Sequence, residues 1–378
     1  MMTRPALSFY TNMPTPYQLD FFQELGKLFD LHVVYFTERE KDRQWQLPVS
    51  GISYTTKTLK NGLLARMIQK KIVSFHFSRR IISLLRNDPS PYIIVNGTYW
   101  SPNTVLVMLI SYWKKKKVFL YAEPVFPARG LQLFVKKNLL MLPMRFCTHG
   151  ILAIGKKAEE GYISYGYKQK IYNVPYNIDT KVFDRSLLNR QRLQELREKY
   201  QLKDETVLLS SGALIERKGM DTVIKAYKKA RQQKKTRLFI LGDGSERQKL
   251  EALAANVPDI HFVGFQEKED VPYYFGLADI FVFASRYDGW GLVINEAIAA
   301  GLAIICSEET GAATDKLKHN YNALLCPAEA TDDFVRHITS MLDDVGKRRK
   351  LIDNCAVAKE ELSSEYNARK VSRILLNE

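Results

Sequence analysis

Cysteine is scarce in this chain of 378 residues: there are four, Cys147, Cys306, Cys326 and Cys355, and no two stand in a Cys-x-x-Cys pair. That scatter argues against a disulfide framework and a thiolate metal site, and it fits a reducing compartment. The six histidines show no metal-ligand spacing. No apolar run approaches the roughly 18 residues that span a bilayer; the best candidate, residues 104–113, reads as a buried helix. The chain opens on the strand-like Leu7-Ser8-Phe9-Tyr10 without a cleavable signal pattern. Internal repeats and low-complexity tracts are missing, which excludes repeat arrays and biased tails.

Acidic residues are scarce in the first half. Residues 1–178 hold 25 Lys+Arg against 10 Asp+Glu, whereas the remainder holds 31 of each. The whole net charge of +15 therefore sits in the first half. Such asymmetry implies an acidic partner for that half: an anionic membrane, a phosphorylated acceptor or nucleic acid. No nucleic-acid-binding motif accompanies the charge, so nucleic acid is set aside. Residues 62–86 carry Leu63, Leu64, Met67, Ile68 and Ile72 near helical spacing, with Arg66, Lys70, Lys71, Arg79 and Arg80 interleaved. Residues 131–146 similarly mix Leu133, Phe134, Leu139, Leu140 and Met141 with Lys136, Lys137 and Arg145, and 114–117 is a run of four lysines. Basic amphipathic helices of this kind lie in an anionic bilayer interface; the alternative is a core-facing helix with solvated cations.

What is present is a repeated alternation of strand and helix, in a chain long enough for two domains. Strands are expected at 7–10, 31–36, 92–95, 118–121 and 150–154, with helices at 18–29, 62–86, 102–113 and 156–165. Asn173-Val174-Pro175-Tyr176-Asn177-Ile178-Asp179 reads as a linker. A charged helix at 187–200 follows, and then strands at 207–210, 238–241, 260–263, 280–284 and 303–306 alternate with helices up to a helical tail at 332–376. This pattern predicts doubly wound parallel sheets.

Two segments carry the chemistry. Glu216-Arg217-Lys218-Gly219 lies where a strand gives way to a helix. A helix start offers unpaired N–H groups and partial positive charge, and two cations added there make a diphosphate cradle. The alternative is a surface Arg-Lys pair at a turn. Asp288-Gly289-Trp290-Gly291-Leu292-Val293-Ile294-Asn295-Glu296 places two carboxylates seven residues apart around a glycine-rich turn. A carboxylate suits paired sugar hydroxyls; the alternative for Glu296 is a helix-terminal charge facing the dipole. Gly242-Asp243-Gly244 and Val263-Gly264-Phe265 end two further strands, and read equally as nucleotide contacts or ordinary turns.

Gly212-Ala213-Leu214 with Arg217-Lys218-Gly219, then Gly242-Asp243-Gly244, Phe262-Val263-Gly264, and Asp288 to Glu296 with Ala297 and Gly301 resemble retaining glycosyltransferases of the glycogen-synthase-like family 4. Asn177-Ile178-Asp179 resembles that family's linker motif. The resemblance implies an α/β fold of the GT-B type, two Rossmann-like doubly wound parallel-sheet domains facing across a cleft. Its expected parts are an acceptor-binding domain at 1–175, a nucleotide-sugar domain at 176–355 and a terminal helix at 356–378 packing back on the first domain. It implies donor contacts from Gly212, Arg217, Lys218, Gly219, Gly242, Gly264, Gly289, Trp290, Gly291, Leu292 and Glu296, with Lys218 on the diphosphate and Glu296 on the ribose. Two departures stand out. Ala213 occupies a position where the family often has arginine, and Asp288 replaces the first glutamate of the family's carboxylate pair. Arg217 is expected to supply the missing cation.

In the first half, the loop after the first strand, Thr11-Asn12-Met13-Pro14-Thr15-Pro16-Tyr17, has no glycine and reads as a loop lining the cleft. Tyr17, Asn96, Tyr99 and Trp100 are candidate acceptor contacts; for the aromatics, plain packing is the alternative. Glu123 ends another strand, where a carboxylate can stabilise an oxocarbenium-like transition state or orient the acceptor hydroxyl; the alternative is an ion pair with Arg129 or Lys156. The catalytic candidates are therefore Glu123, Asp288, Lys218 and Arg217. The resemblance implies no metal and no cofactor, with a UDP- or GDP-linked sugar as substrate. The expected activity is retaining sugar transfer to a lipid-linked glycan at the cytoplasmic membrane face. A nucleotide-sugar epimerase, a sugar phosphorylase and a catalytically silent nucleotide- or membrane-binding scaffold stay open beside it.

Overall fold

The computed structural model of the protein describes residues 4–38, 52–69, 71–72, 74–125, 127–231 and 234–377. Lys70 and the side chains of Leu63, Leu64 and Arg66 lie outside the described residues. The chain divides into two compact units, one of Met1–Asn177 with Ser364–Glu378, the other of Ile178–Ser363.

Among the described residues, the first unit is built on seven strands: β1 (Ala6–Thr11), β2 (Asp30–Tyr35), β3 (Thr55–Thr58), β4 (Tyr92–Asn96), β5 (Lys117–Ala122), β6 (Gly150–Ala153) and β7 (Lys170–Asn173). They pair in parallel in the order β3-β2-β1-β4-β5-β6-β7. The second unit has six: β8 (Thr206–Ser211), β9 (Thr236–Leu241), β10 (Ile260–Gly264), β11 (Ile280–Phe283), β12 (Ala303–Ser307) and β13 (Leu324–Cys326). Their order is β10-β9-β8-β11-β12-β13, again all parallel. Parallel strands covered on both faces must be apolar throughout, and the central ones are. Phe9, Ile93, Ile94, Val95 and Leu120 are buried in the first sheet, as are Leu208, Ile240, Val282 and Ile305 in the second. In each sheet the strand order reverses once, between β1 and β4 and between β8 and β11. Ligands of such sheets bind beyond the carboxyl ends of the strands at these reversals.

The expected helix at 62–86 is two helices, Leu63–Gln69 and Arg80–Asn87. Between them the chain docks instead of coiling: His76 N–H donates to the Ser101 hydroxyl (3.2 Å), Ser78 N–H to Asn103 Oδ1 (3.0 Å), and Asn103 N–H to His76 C=O (3.0 Å). These bonds tie the segment to the start of helix Pro102–Trp113. The four-lysine run is not one cationic face. It turns from that helix into β5 through Lys115 at φ +58°, and Lys116 is drawn inward. Lys116 is buried, 3.2 Å from Asp88 Oδ1 and donating to Asp88 C=O at 2.7 Å. Lys114 donates to the carbonyls of Leu85 and Arg86.

Helix Ser364–Leu376 packs on helix Pro16–Leu28 and so belongs to the first unit. Where the chain passes from one unit to the other, Ile178 N–H donates to Leu362 C=O (3.1 Å), and Ile178 bridges to Ser363.

Candidate functional sites of the two units

In the second unit both chemical motifs stand at the strand-order reversal. The Arg217-Lys218 segment forms a 3-10 turn, Glu216–Lys218, between β8 and helix Met220–Ala230. The Asp288 loop connects β11 to helix Leu292–Ala299. Glycine lets the two segments touch. Gly219 has φ +65°, and a Cβ there would lie 2.0 Å from the Ala284 carbonyl oxygen at the end of β11. Gly219 is thus needed for the approach of the protein's own backbone. Ser285 Oγ, which donates to Arg217 C=O (3.2 Å), and Arg286 N–H, bonded to the same carbonyl (2.8 Å), complete the junction.

Charge meets charge at this junction. Lys218 Nζ donates to Asp288 Oδ2 and lies 5.2 Å above the Phe283 ring. Arg217 Nη1 is 3.7 Å from the same carboxylate oxygen and donates to Tyr287 C=O. Lys218 and Asp288 are mostly buried, while the Arg217 side chain is exposed. The Asp288 loop is held from behind: Asp288 bridges to Thr310, Gly311 N–H donates to Asp288 C=O (3.1 Å), and Ala312 N–H donates to Trp290 C=O (2.7 Å). Trp290 is only 3% exposed and spends its indole N–H on Asn295 Oδ1 (3.1 Å). Its side chain is an anchor for the loop, and what this position offers a ligand is backbone. Gly291, at φ +86°, turns the chain into helix Leu292–Ala299. Gly289 lies against Gly311, where a Cβ would meet its carbonyl oxygen at 2.2 Å.

Gly212, Gly242 and Gly264 sit at the ends of β8, β9 and β10 and are laddered together. Gly212 N–H donates to Leu241 C=O (3.0 Å), and Gly242 N–H to Gly264 C=O (2.9 Å). A Cβ on Gly242, at φ +121°, would stand 2.0 Å from the Gly212 carbonyl oxygen. These glycines hold the strand ends close and leave a floor bare of side chains. Glu296 and Leu292 lie on helix Leu292–Ala299, both half-buried. Desolvation raises the Glu296 carboxyl to about 8, with Lys268 pulling the other way. A carboxyl raised in the fold binds its proton more tightly than in the unfolded chain. Its contribution to stability is full below about 4.5 and is lost as pH rises toward about 8. The ligand-free protein should therefore lose thermal stability across that interval, and Glu296→Gln should flatten the loss; parallel pH profiles for the two proteins would contradict it.

Sequence reasoning left Arg286 unassigned. Its guanidinium reaches Asp221 (3.1 Å), Glu329 (2.9 Å) and the Glu216 carbonyl, bracing the cationic turn from outside. Burial would raise the Asp221 carboxyl, but Arg286 and Lys225 outweigh it and bring it down to about 2. Only its place between Ser285 and Asp288 could have flagged it.

The first unit has a pocket of about 390 Å³ at its own strand-order reversal. Tyr17, Asn96, Tyr99, Trp100 and Glu123 all line it, with Tyr176 and Lys136. Asn96 is fixed: it accepts from Thr11 Oγ1 and Gln18 Nε2 (both 3.0 Å) and donates to Tyr121 C=O (2.9 Å). The Tyr176 hydroxyl donates to Glu123 Oε1 at 2.7 Å, and the Tyr176 ring meets Tyr17 edge-on at 5.3 Å. The partner of Glu123 is thus a phenol that the sequence reading had placed in a linker.

With this geometry in hand, the chain is similar to known proteins in three ways. Residues 193–356 match the model of the family described as Glycosyl transferases group 1. An uncharacterized glycosyltransferase of Methanocaldococcus jannaschii is 26% identical over 232 residues, 60% of this chain and 58% of that protein. A GDP-mannose-dependent alpha-(1-6)-phosphatidylinositol monomannoside mannosyltransferase of Mycobacterium tuberculosis is 26% identical over 54% of each chain. The chain spans about half the length of the curated relatives it matches. The crystal structure of Anabaena Alr3699/HepE in complex with UDP superposes with a TM-score of 0.75 at 15% identity, covering 99% of this chain and 100% of that one. WaaG, a glycosyltransferase involved in lipopolysaccharide biosynthesis, gives 0.66 at 16% identity, over 98% and 100%. The fold is thus the two-sheet GT-B arrangement, and residues 193–356 of the second unit are similar to the group 1 glycosyl transferases.

Proposed function

We propose that the protein is a retaining glycosyltransferase that moves a sugar from a nucleoside diphosphate donor to a lipid-linked glycan acceptor. The observation that carries this reading is the meeting of Lys218, Arg217 and Asp288 at the strand-order reversal, with Glu296 on the helix that follows the Asp288 loop. When the sugar leaves, charge develops on the diphosphate. Lys218, with Arg217 at the rim, neutralises it, and the N–H groups entering helix Leu292–Ala299 add partial positive charge. Two side-chain cations and a helix start serve in place of a metal ion. Glu296 takes the ribose hydroxyls, and Asp288, released from Lys218 as the diphosphate arrives, turns to the sugar. The backbone at Gly212, Gly242, Gly264, Gly289 and Gly291 contacts the nucleotide and sugar without side chains in the way. Glu123, oriented by Tyr176, stands beside the acceptor hydroxyl in the first unit's pocket.

The acceptor reading is supported by an exposed apolar surface with cations between. On Gly130–Val135, Lys136–Leu140 and Leu142–Cys147, the residues Leu131, Phe134, Leu139 and Phe146 are each more than 60% exposed. Lys137 and Arg145 lie among them, and no described helix is long and apolar enough to cross a membrane. In this reading the first unit rests on the cytoplasmic face of an anionic membrane.

A thermal-shift panel of UDP, GDP, ADP and their common sugars, run with and without chelator, tests the donor site. One base should raise the melting temperature with or without chelator, and Glu296→Ala should abolish the shift. A shift retained in Glu296→Ala removes the ribose assignment; a shift that needs divalent metal removes the metal-free account.

A further inference from the structure

Asn96 closes β4 at the strand-order reversal of the first unit and lines the pocket there. A side-chain amide has an accepting end and a donating end, and turning it over exchanges them. In Asn96 the fold decides which end goes where. Its Nδ2 donates at 2.9 Å to the carbonyl of Tyr121, the residue paired with it on β5. A backbone carbonyl only accepts, so turning the amide over would set two oxygens against each other. Its Oδ1 is claimed twice, by the Thr11 hydroxyl and by Gln18 Nε2, both at 3.0 Å. Gln18 is held in turn: its Oε1 accepts from the Thr15 hydroxyl (3.0 Å), and its Nε2 also donates to Thr11 Oγ1 (3.4 Å).

The result is an uneven balance at the pocket wall. Both lone pairs of the Asn96 oxygen are taken, and Tyr121 takes one N–H. The second N–H has no partner among the described residues. Thr11, Thr15 and Gln18 are buried and spend every side-chain donor on one another and on Asn96. What they do for a ligand therefore passes through Asn96. Not every amide of this wall is tied in this way. Asn12, the residue after β1, lines the same pocket with an enclosed Oδ1 that accepts nothing.

Resting on the acceptor reading of this pocket, we infer that Gln18 and Thr11 are positioning residues. They lock Asn96 so that it offers its second N–H, and never its oxygen, to an oxygen of the acceptor sugar. Glu123 follows β5 directly, two residues beyond the Tyr121 that anchors Asn96. Its Oε1 is taken by the Tyr176 hydroxyl, and its Oε2 has no partner among the described residues. The wall thus carries one locked donor and one oriented acceptor. It matches a sugar unit that turns an oxygen to the first and a hydroxyl to the second. An amide already locked loses no rotamer freedom when the sugar arrives, so the contact keeps its full strength.

The test titrates the full chain calorimetrically with the methyl glycosides of glucose, galactose, mannose and N-acetylglucosamine. At least one should bind the wild type, and Asn96→Ala should weaken that binding by at least about tenfold. Gln18→Met and Thr11→Val keep the size of the side chain and remove its donor to Asn96 Oδ1; each should weaken binding by at least about threefold. In an Asn96→Ala background neither should weaken it further, whereas losses from a merely structural role would persist there. Two variants reach the same oxygen from different elements, so misfolding of one leaves the other to decide. Wild-type affinity in Gln18→Met and Thr11→Val overturns the inference, and so do losses that persist in the Asn96→Ala background. A wild type that binds none of the glycosides overturns the acceptor reading itself, which tells the two failures apart.

Discussion

Lys218→Ala should weaken binding of the preferred nucleoside diphosphate by at least about thirtyfold, ~2 kcal/mol, as for a charge-assisted contact made in a mostly desolvated place. Lys218 is shielded by the Phe283 ring, whereas the exposed Arg217 is screened by water and should matter less on replacement. The ion pair adds a sharper expectation. Asp288 already occupies the ammonium of Lys218, so a diphosphate must displace a carboxylate before it gains the contact. Asp288→Asn removes that competitor. It should tighten binding of the free nucleoside diphosphate while slowing sugar transfer, since the same side chain is assigned to the sugar. Calorimetric titration of both variants against the wild type decides this. Undiminished affinity in Lys218→Ala, or weaker affinity in Asp288→Asn, would sink the account of the ion pair as a placeholder for phosphate.

Gly242→Ala should be the most damaging small substitution in the second unit. The new Cβ would stand 2.0 Å from the Gly212 carbonyl oxygen, at a backbone φ of +121° that side chains rarely adopt. Neither problem is relieved by a rotamer change, because the neighbour is backbone and belongs to the adjoining strand end. A loss of at least about 3 kcal/mol is expected, with nucleotide binding lost alongside. Gly264→Ala is the control. Its φ is also positive, +83°, but the Cβ would meet only the movable end of Arg247, at 3.3 Å. It should cost about 1–2 kcal/mol, the ordinary left-handed penalty. Thermal unfolding of the two variants side by side checks the ranking, and equal midpoints would contradict it.

The alternation of strand and helix was legible because buried parallel strands must be apolar on both faces. Ile93-Ile94-Val95 and Phe281-Val282-Phe283 announce themselves for that reason. β3 did not: Thr55-Thr56-Lys57-Thr58 is an exposed edge strand, held by its backbone pairing to β2, and it has no apolar side chain to mark it. β7 and β13 are also short and end their sheets. The cationic turn and the carboxylate loop were legible as chemistry, but their mutual distance was not. That distance is set by Gly219 pressing on Ala284, a contact between segments far apart in sequence. Trp290 shows the converse. An aromatic in a glycine-rich loop invites a ligand role, yet its indole is used up on Asn295. The lysine run misled for a related reason, because a buried acid, Asp88, was waiting for Lys116 from another loop.

The return of helix Ser364–Leu376 to helix Pro16–Leu28 sets an order of assembly. A ribosome delivers the second unit whole before it delivers the helix that completes the first. At the usual speed of translation, on the order of ten seconds or more separate the synthesis of helix Pro16–Leu28 from that of the helix that covers it. During that time the surface of Pro16–Leu28 that the late helix will cover has no native partner from its own chain. The second unit can finish folding first, and the first unit closes last, on helix Ser364–Leu376.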